Sequence, residues 1–257
     1  MTFLGLGMRW SNHGLSPGAT PLWSQIAGRL RAAIAAGEFK PGETLPSEAE
    51  INTIFKVSRT TARASLDRLR QEGLISRQSG RGSIVLQPRV EQPVNELASF
   101  SEDMRRRGLK ASYATFTAAE TETGEEAAQA LALALGDRAF CIRRLLLADN
   151  EPMGMSVSWL APSILADRQL PTPEELDKGS LYEWLARHCD VRIAGAREFI
   201  EAANADVDMA RRLQVAQGAP LLVARRCSRA ANGDPVEYAV MHYRADRYCF
   251  SIDLTRQ

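Results

Sequence analysis

The sequence predicts an α+β chain in two parts: a three-helix segment closed by a β-hairpin, then an antiparallel sheet with helices against it. Three observations lead there. Between residues 22 and 72 apolar residues recur at helical spacing in three runs, two of them opened by serine caps. A Gly-rich turn, Ser79-Gly-Arg-Gly82, separates two short strand-like runs. Further on, Phe140 to Leu147 and Met153 to Leu160, then Leu221 to Ser228 and Val236 to Tyr243, form two longer pairs of strand-like runs about polar turns.

The 257 residues are enough for two ordinary domains, and 45% hydrophobic with 25% charged residues is the balance of a globular protein. No run approaches the ~20 apolar residues of a spanning helix, so no membrane association is expected. Residues 1 to 20 lack a basic start followed by a sustained apolar run and are expected to be a disordered leader, which leaves the cytoplasm as the compartment. Cys141, Cys189, Cys227 and Cys249 have no paired spacing, so neither a zinc site nor any other cofactor is expected.

Charge divides along the chain. Residues 21 to 90 carry 11 Lys and Arg against 6 Asp and Glu, whereas residues 91 to 257 carry 20 against 25. A basic module joined to an acidic one suits a polyanion partner for the first part. Gln87 to Pro93, with two prolines and no periodicity, reads as a linker, giving domains at 21–87 and 95–257 with residues 88–94 between them.

In the first part, Leu22, Ile26, Leu30, Ala33 and Ile34 define a helix stopped by Gly37. Ser47 stands three residues before Glu50, a capping box opening a second helix with Ile51, Ile54 and Phe55 on its apolar face. After a short turn, Ser58 caps a third helix running to about Glu72. There Ala62, Leu66 and Leu69 form one stripe, and Arg59, Thr60 and Arg63 a neighbouring one, so one face packs and the other stays free. Two short helices joined by a tight turn, the second beginning Ser, Arg, Thr, Thr, Ala, Arg, meet the requirements for major-groove reading. Leu74 to Gln78 and Ser83 to Leu86 complete a wing, with Arg81 between two glycines at its tip, free to approach a minor groove or a phosphate.

Phe39-Lys-Pro-Gly-Glu-Thr-Leu-Pro-Ser-Glu48, Val57-Ser-Arg-Thr-Thr-Ala-Arg63, Leu66-Asp-Arg-Leu-Arg-Gln-Glu-Gly-Leu-Ile75 and Gly80-Arg-Gly82 together resemble the winged helix-turn-helix of GntR-family bacterial transcription regulators. The resemblance implies DNA contact by Ser58, Arg59, Thr60, Thr61 and Arg63, and by Arg77, Gly80, Arg81 and Gly82 in the wing. Ala49 stands where relatives often have Arg, which removes one possible contact.

The second part reads as a helix over 95–108 with a capping box at Ser99 and Glu102, a strand over 113–119, and an Ala- and Leu-rich helix over 125–135. The hairpin 140–160 follows, then a short helix over 180–188, a strand over 195–202, a helix over 207–213, and the hairpin 221–243. Ala148-Asp-Asn-Glu-Pro152, Gly179-Ser-Leu-Tyr182, Gly218-Ala-Pro-Leu221, Asp234-Pro-Val-Glu237 and Tyr243-Arg-Ala-Asp-Arg-Tyr248 resemble the UTRA effector-binding domain of the HutC subfamily, a relative of the chorismate lyase fold. That likeness implies an anion held by the backbone amides of Phe100 and Ser101 and by Arg144. It also implies hydrogen bonding by Ser180 and Tyr182, and a polar end of the effector held by Glu237 and Tyr243. Leu146 replaces a second Arg of sugar-phosphate-binding members. Ser156 replaces a Glu, and is kept among the effector-site candidates.

The resemblance implies a homodimeric regulator, a repressor released from a palindromic double-stranded operator by a small anionic metabolite. Two alternatives stay open. One is a constitutive dimeric DNA-binding protein; the other is an enzyme on the chorismate-lyase-like domain, against which stands the lack of a nucleophile and base pair or a metal cluster in the sequence.

Overall fold

The computed structural model describes residues 9–11, 14–16, 18, 20–78, 82–86, 89–166 and 168–255. It divides into two units, residues 1–89 and 90–257.

The first unit holds α1 (Leu22–Ala35), α2 (Glu48–Phe55) and α3 (Arg59–Gln71), then β1 (Ile75–Gln78) and β2 (Gly82–Val85), an antiparallel pair. The capping box forms as the sequence requires: Ser47 accepts from the Glu50 amide, and the Glu50 carboxylate accepts from the Ser47 amide. Lys56, in the left-handed region, turns the chain between α2 and α3. Ile26, Leu30, Ile51, Leu66 and Leu69 meet in one core, so the apolar stripes of all three helices point inward.

That core contains a residue from the segment expected to be a disordered leader. Arg9–Ser11 forms a turn of 3-10 helix, and Trp10 is buried with its ring centroid 6.0 Å from that of Phe39 and 5.6 Å from that of Phe55. Gln25 holds the following stretch by donating to the Ser16 and Thr20 carbonyls. The sequence around Trp10 has no helical or strand periodicity, so nothing local marks this ring for burial. Trp10→Ala is expected to cost about 3 kcal/mol in this unit, measured as a shift in urea midpoint with unchanged slope.

The second unit begins earlier than expected. Val90–Pro93, within the stretch read as linker, is a strand, β3, and pairs in parallel with the last strand of the unit, Tyr248–Ser251. Short parallel pairing between segments 158 positions apart, Val90 with Tyr248, leaves no local signal. Then come α4 (Phe100–Arg106), β4 (Ala111–Glu122), α5 (Glu125–Ala130), β5 (Arg138–Ala148), β6 (Glu151–Leu160), α6 (Pro162–Leu165), α7 (Pro173–Asp177), α8 (Leu181–His188), β7 (Gly195–Asn204), α9 (Val207–Leu213), β8 (Pro220–Arg229), β9 (Pro235–Arg244) and β10 (Tyr248–Ser251). A six-stranded antiparallel sheet runs in the order β4-β5-β6-β9-β8-β7. Both expected hairpins are present, β5 with β6 and β8 with β9, and β6 joins β9 at the centre. At that seam Gly154 has no room for a side chain: a methyl would lie 2.7 Å from the His242 carbonyl oxygen.

Candidate functional site

Two groups of sequence candidates exist, one in each unit. In the first, Ser58 caps α3 by accepting from the Thr61 amide, and its hydroxyl lies 2.9 Å from that of Thr61. Both hydroxyls are therefore engaged in fixing the helix start. Arg59 and Thr60 are exposed in its first turn. Arg63, with 65% of its side chain exposed, reaches Glu48 at 3.3 Å, a surface pair of small net worth that a phosphate or base edge could replace.

Arg77 is tied down further: it contacts Glu48 at 3.0 Å and Asp67 at 3.6 Å, bracing the wing strand against α2 and α3. That arrangement makes it a residue that positions the wing strand. Gly82 has φ +80° and lies against Thr44, so a side chain there would be strained as the wing turns back. Gly80 and Arg81 lie outside the described residues.

In the second unit the strand register builds one polar face. Thr115 on β4 lies opposite Arg144 on β5, which lies opposite Ser156 on β6. Because side chains alternate, Tyr113, Ser158, Glu237, Ala239, Met241, Tyr243, Arg226 and Ser228 share that face. It floors a cavity that is also lined by residues around the starts of α4 and α8 and by Tyr248. Phe100, Arg144, Ser156, Ser180, Tyr182, Glu237 and Tyr243 all line it.

Arg144 is 6% exposed, and its Nε and Nη1 are buried without a hydrogen-bond partner. The same holds for the hydroxyls of its two cross-strand neighbours, Thr115 and Ser156. Its guanidinium lies 4.5 Å from the Tyr113 ring centroid, a cation–π contact that supplies attraction but accepts no hydrogen bond. Burial pulls the Arg144 pKa below its ordinary value, opposed by Tyr113, Glu237, Asp177 and Tyr182. Its sequence neighbour Arg143 points the other way and is exposed.

The Tyr113 hydroxyl is hydrogen bonded to the Ser101 hydroxyl, linking this site to the start of α4. There the capping box engages the amides of Ser99 and Glu102 and leaves those of Phe100 and Ser101 outside it. The Ser101 side chain, unlike its expected companions, does not line the cavity, because it is turned toward Tyr113.

At the far end Tyr182 and Ser228 share a hydrogen bond of 2.9 Å, and Ser228 donates to Glu237 at 3.5 Å. Burial raises the Tyr182 pKa, with the nearby Glu237 charge adding to the effect. Ser180 caps α8 by accepting from the Tyr182 amide. The Tyr243 hydroxyl is directed to the Met241 sulfur, and its ring stacks on Tyr248 with centroids 4.0 Å apart.

The sequence candidates omit Arg226, which is buried in the cavity wall. It pairs with Glu198 at 2.9 Å and donates to the Ala98 carbonyl. Burial lowers its pKa, but Tyr182, Glu198 and Tyr243 outweigh that and the net shift is upward. Tyr113 and Tyr248, whose hydroxyl lies 2.6 Å from Gln92 Oε1 and 3.0 Å from Asp103 Oδ2, are further lining residues outside the sequence candidates. The available signal is alternation: Arg226 and Ser228 stand two apart on the strand face that also carries Leu222 and Ala224. Among the described residues no group of three or more His, Cys, Asp or Glu side chains is gathered to hold a metal, and no helix is long and apolar enough to cross a membrane.

Residues 22–85 match the model of the gntR family of bacterial regulatory proteins, and residues 106–249 match that of the UTRA domain, which alone covers more than half of the chain. The chain belongs to the GntR family. Its GntR relatives include the HTH-type transcriptional repressor NagR of Bacillus subtilis, 33% identical over 230 residues, covering 90% of this chain and 93% of NagR. The HTH-type transcriptional regulator Rv0792c of Mycobacterium tuberculosis is 30% identical over 257 residues, 100% of this chain and 94% of that one. The crystal structure of PhnF from Mycobacterium smegmatis has the same fold, with a TM-score of 0.66 at 23% identity over 90% of this chain and 99% of that one. This GntR protein is a DNA-binding transcription regulator with a UTRA effector domain.

Proposed function

We propose that the protein is a homodimeric repressor that leaves a palindromic operator when a small anionic metabolite enters the UTRA cavity. The compartment is the cytoplasm, where operator DNA lies, and the protein acts by binding and not by turnover. One observation carries the effector class: a buried guanidinium with two of its nitrogens lacking a hydrogen-bond partner, in a row with two unpartnered hydroxyls. An isolated buried cation is costly unless something pairs with it. An anion hydrogen bonded to Arg144 and Ser156 supplies that pair, and the polar end of the ligand meets Glu237 and Tyr182.

On the DNA side, Arg59, Thr60 and Arg63 read or grip the major groove from the exposed start of α3, with Ser58 and Thr61 fixing the helix and the wing following the backbone. Two such helices must meet grooves about 34 Å apart on one face of the duplex, which calls for a two-fold dimer. Release follows if the ligand favours a dimer arrangement that misses this spacing.

The test is a melting screen of the purified protein against carboxylates, phosphonates, sugar phosphates and amino-acid breakdown products. A ligand at 100 times its Kd is expected to stabilise the protein by about 2.7 kcal/mol. No shift from any anion, or stabilisation only by neutral compounds, would overturn the effector class.

A further inference from the structure

Two side chains of the cavity are buried without an ionic partner among the described residues, and their charges are opposite. Arg144 is one. Glu237 is the other: it is 4% exposed and accepts one side-chain hydrogen bond, from Ser228 at 3.5 Å, the outer limit of such a contact. The Ser228 hydroxyl lies 2.9 Å from that of Tyr182, so with Ser228 donating to Glu237 it is Tyr182 that donates to Ser228, and the chain of hydrogen bonds ends on the carboxylate. The nearest strand neighbour that could neutralise Glu237 is engaged elsewhere. Arg226, opposite Ala239, pairs with Glu198, its cross-strand partner on the other side.

The register keeps Arg144 and Glu237 from closing on each other. Phe140 on β5 lies opposite Leu160 on β6, and Leu160 lies opposite Glu237 on β9, so Glu237 stands two strands across and four residues along from Arg144. At ~4.8 Å per strand and ~3.3 Å per residue, the backbones are about 16 Å apart. Ser158 and Ala239 fill the row between them. Glu237 is among the charges that oppose the fall in the Arg144 pKa, so the two attract through the cavity without meeting in an ion pair.

Taking an ion out of water is costly unless an opposite charge meets it. A ligand with an anion alone would pair Arg144 and leave Glu237 buried and unmatched. A second anionic group at the far end would face Glu237 with like charge. Only a ligand with an anion at one end and a cationic nitrogen at the other closes both accounts. We infer that the effector is a zwitterion, with its anionic group on Arg144 and Ser156 and an ammonium or other protonated nitrogen on Glu237. The inference rests on the anionic effector proposed above and fixes the charge of its other end.

The test adds matched triplets to the melting screen of the full chain, each on one carbon skeleton: an amino carboxylate or amino phosphonate, its hydroxy counterpart, and the acid with neither group. The triplets run through increasing chain length and are joined by amino sugar phosphates with their parent sugar phosphates. In whichever set binds, the amino compound is expected to bind at least about tenfold more tightly than its hydroxy counterpart by calorimetric titration. Glu237→Gln keeps the shape and removes the charge, and should abolish that preference. Should the variant not fold, the wild-type comparison decides alone. A hydroxy or unsubstituted acid that binds as tightly as the amino compound overturns the zwitterion and leaves the anionic effector standing. A preference that persists in Glu237→Gln overturns the part given to Glu237. No shift from any compound with an anionic group overturns both readings.

Discussion

Arg144→Met is expected to make the unliganded protein more stable and, at the same time, deaf to its effector. Most substitutions of a large buried side chain cost stability by leaving a cavity. Here the side chain removed is a charge held out of water with two nitrogens unpartnered, and methionine fills similar volume without that penalty. The gain expected from removing such a charge is about 1–3 kcal/mol, seen as a melting temperature higher by roughly 2–8 °C. Effector affinity should fall by about 2–5 kcal/mol, since one partner of a buried charge pair is lost. Calorimetric titration and melting curves on the same sample read both effects. A variant that is less stable and binds the ligand normally would mean that Arg144 is a structural residue.

The second large effect is expected on the DNA side. Replacing Arg59 and Arg63 together with alanine should weaken operator binding by about 2–6 kcal/mol, at ~1–3 kcal/mol for each base contact. If either residue holds a phosphate instead, the slope of log affinity against log salt should fall by about one for that residue. Both side chains are exposed, and among the described residues the partner lost is Glu48, in its surface contact with Arg63. Melting temperature and effector affinity should therefore be unchanged, which separates loss of recognition from loss of folding. Operator titrations at three salt concentrations by fluorescence anisotropy give both numbers.

The sequence was most legible where local rules and tertiary packing agree. Ser47 with Glu50, Ser58, and Ser99 with Glu102 all cap the helices they announce, and the two hairpins of the sheet follow from alternation and polar turns. Alternation alone does not choose between Arg143 and Arg144; the family resemblance points to Arg144, which is the buried one of the two. Three features left little trace. Trp10 is an isolated aromatic in a Gly-rich stretch, and its burial depends on a gap between Phe39 and Phe55 that only the folded unit creates. The pairing of β3 with β10 joins distant short segments, one of which carries a proline at its end. The ties of Arg77 leave no local signal because its partners, Glu48 and Asp67, lie on two different helices.

Coupling between the cavity and the DNA-binding unit is the central claim, and linkage gives it a sharp form. If a ligand lowers operator affinity by some factor, operator DNA must lower ligand affinity by the same factor. Operator titrations at increasing concentrations of a ligand found by the melting screen, paired with ligand titrations of free and operator-bound protein, measure both sides. The expected result is a loss of about tenfold or more in operator affinity, matched by the ligand titrations and absent in Arg144→Met. A ligand that saturates the cavity while operator affinity stays constant would contradict it.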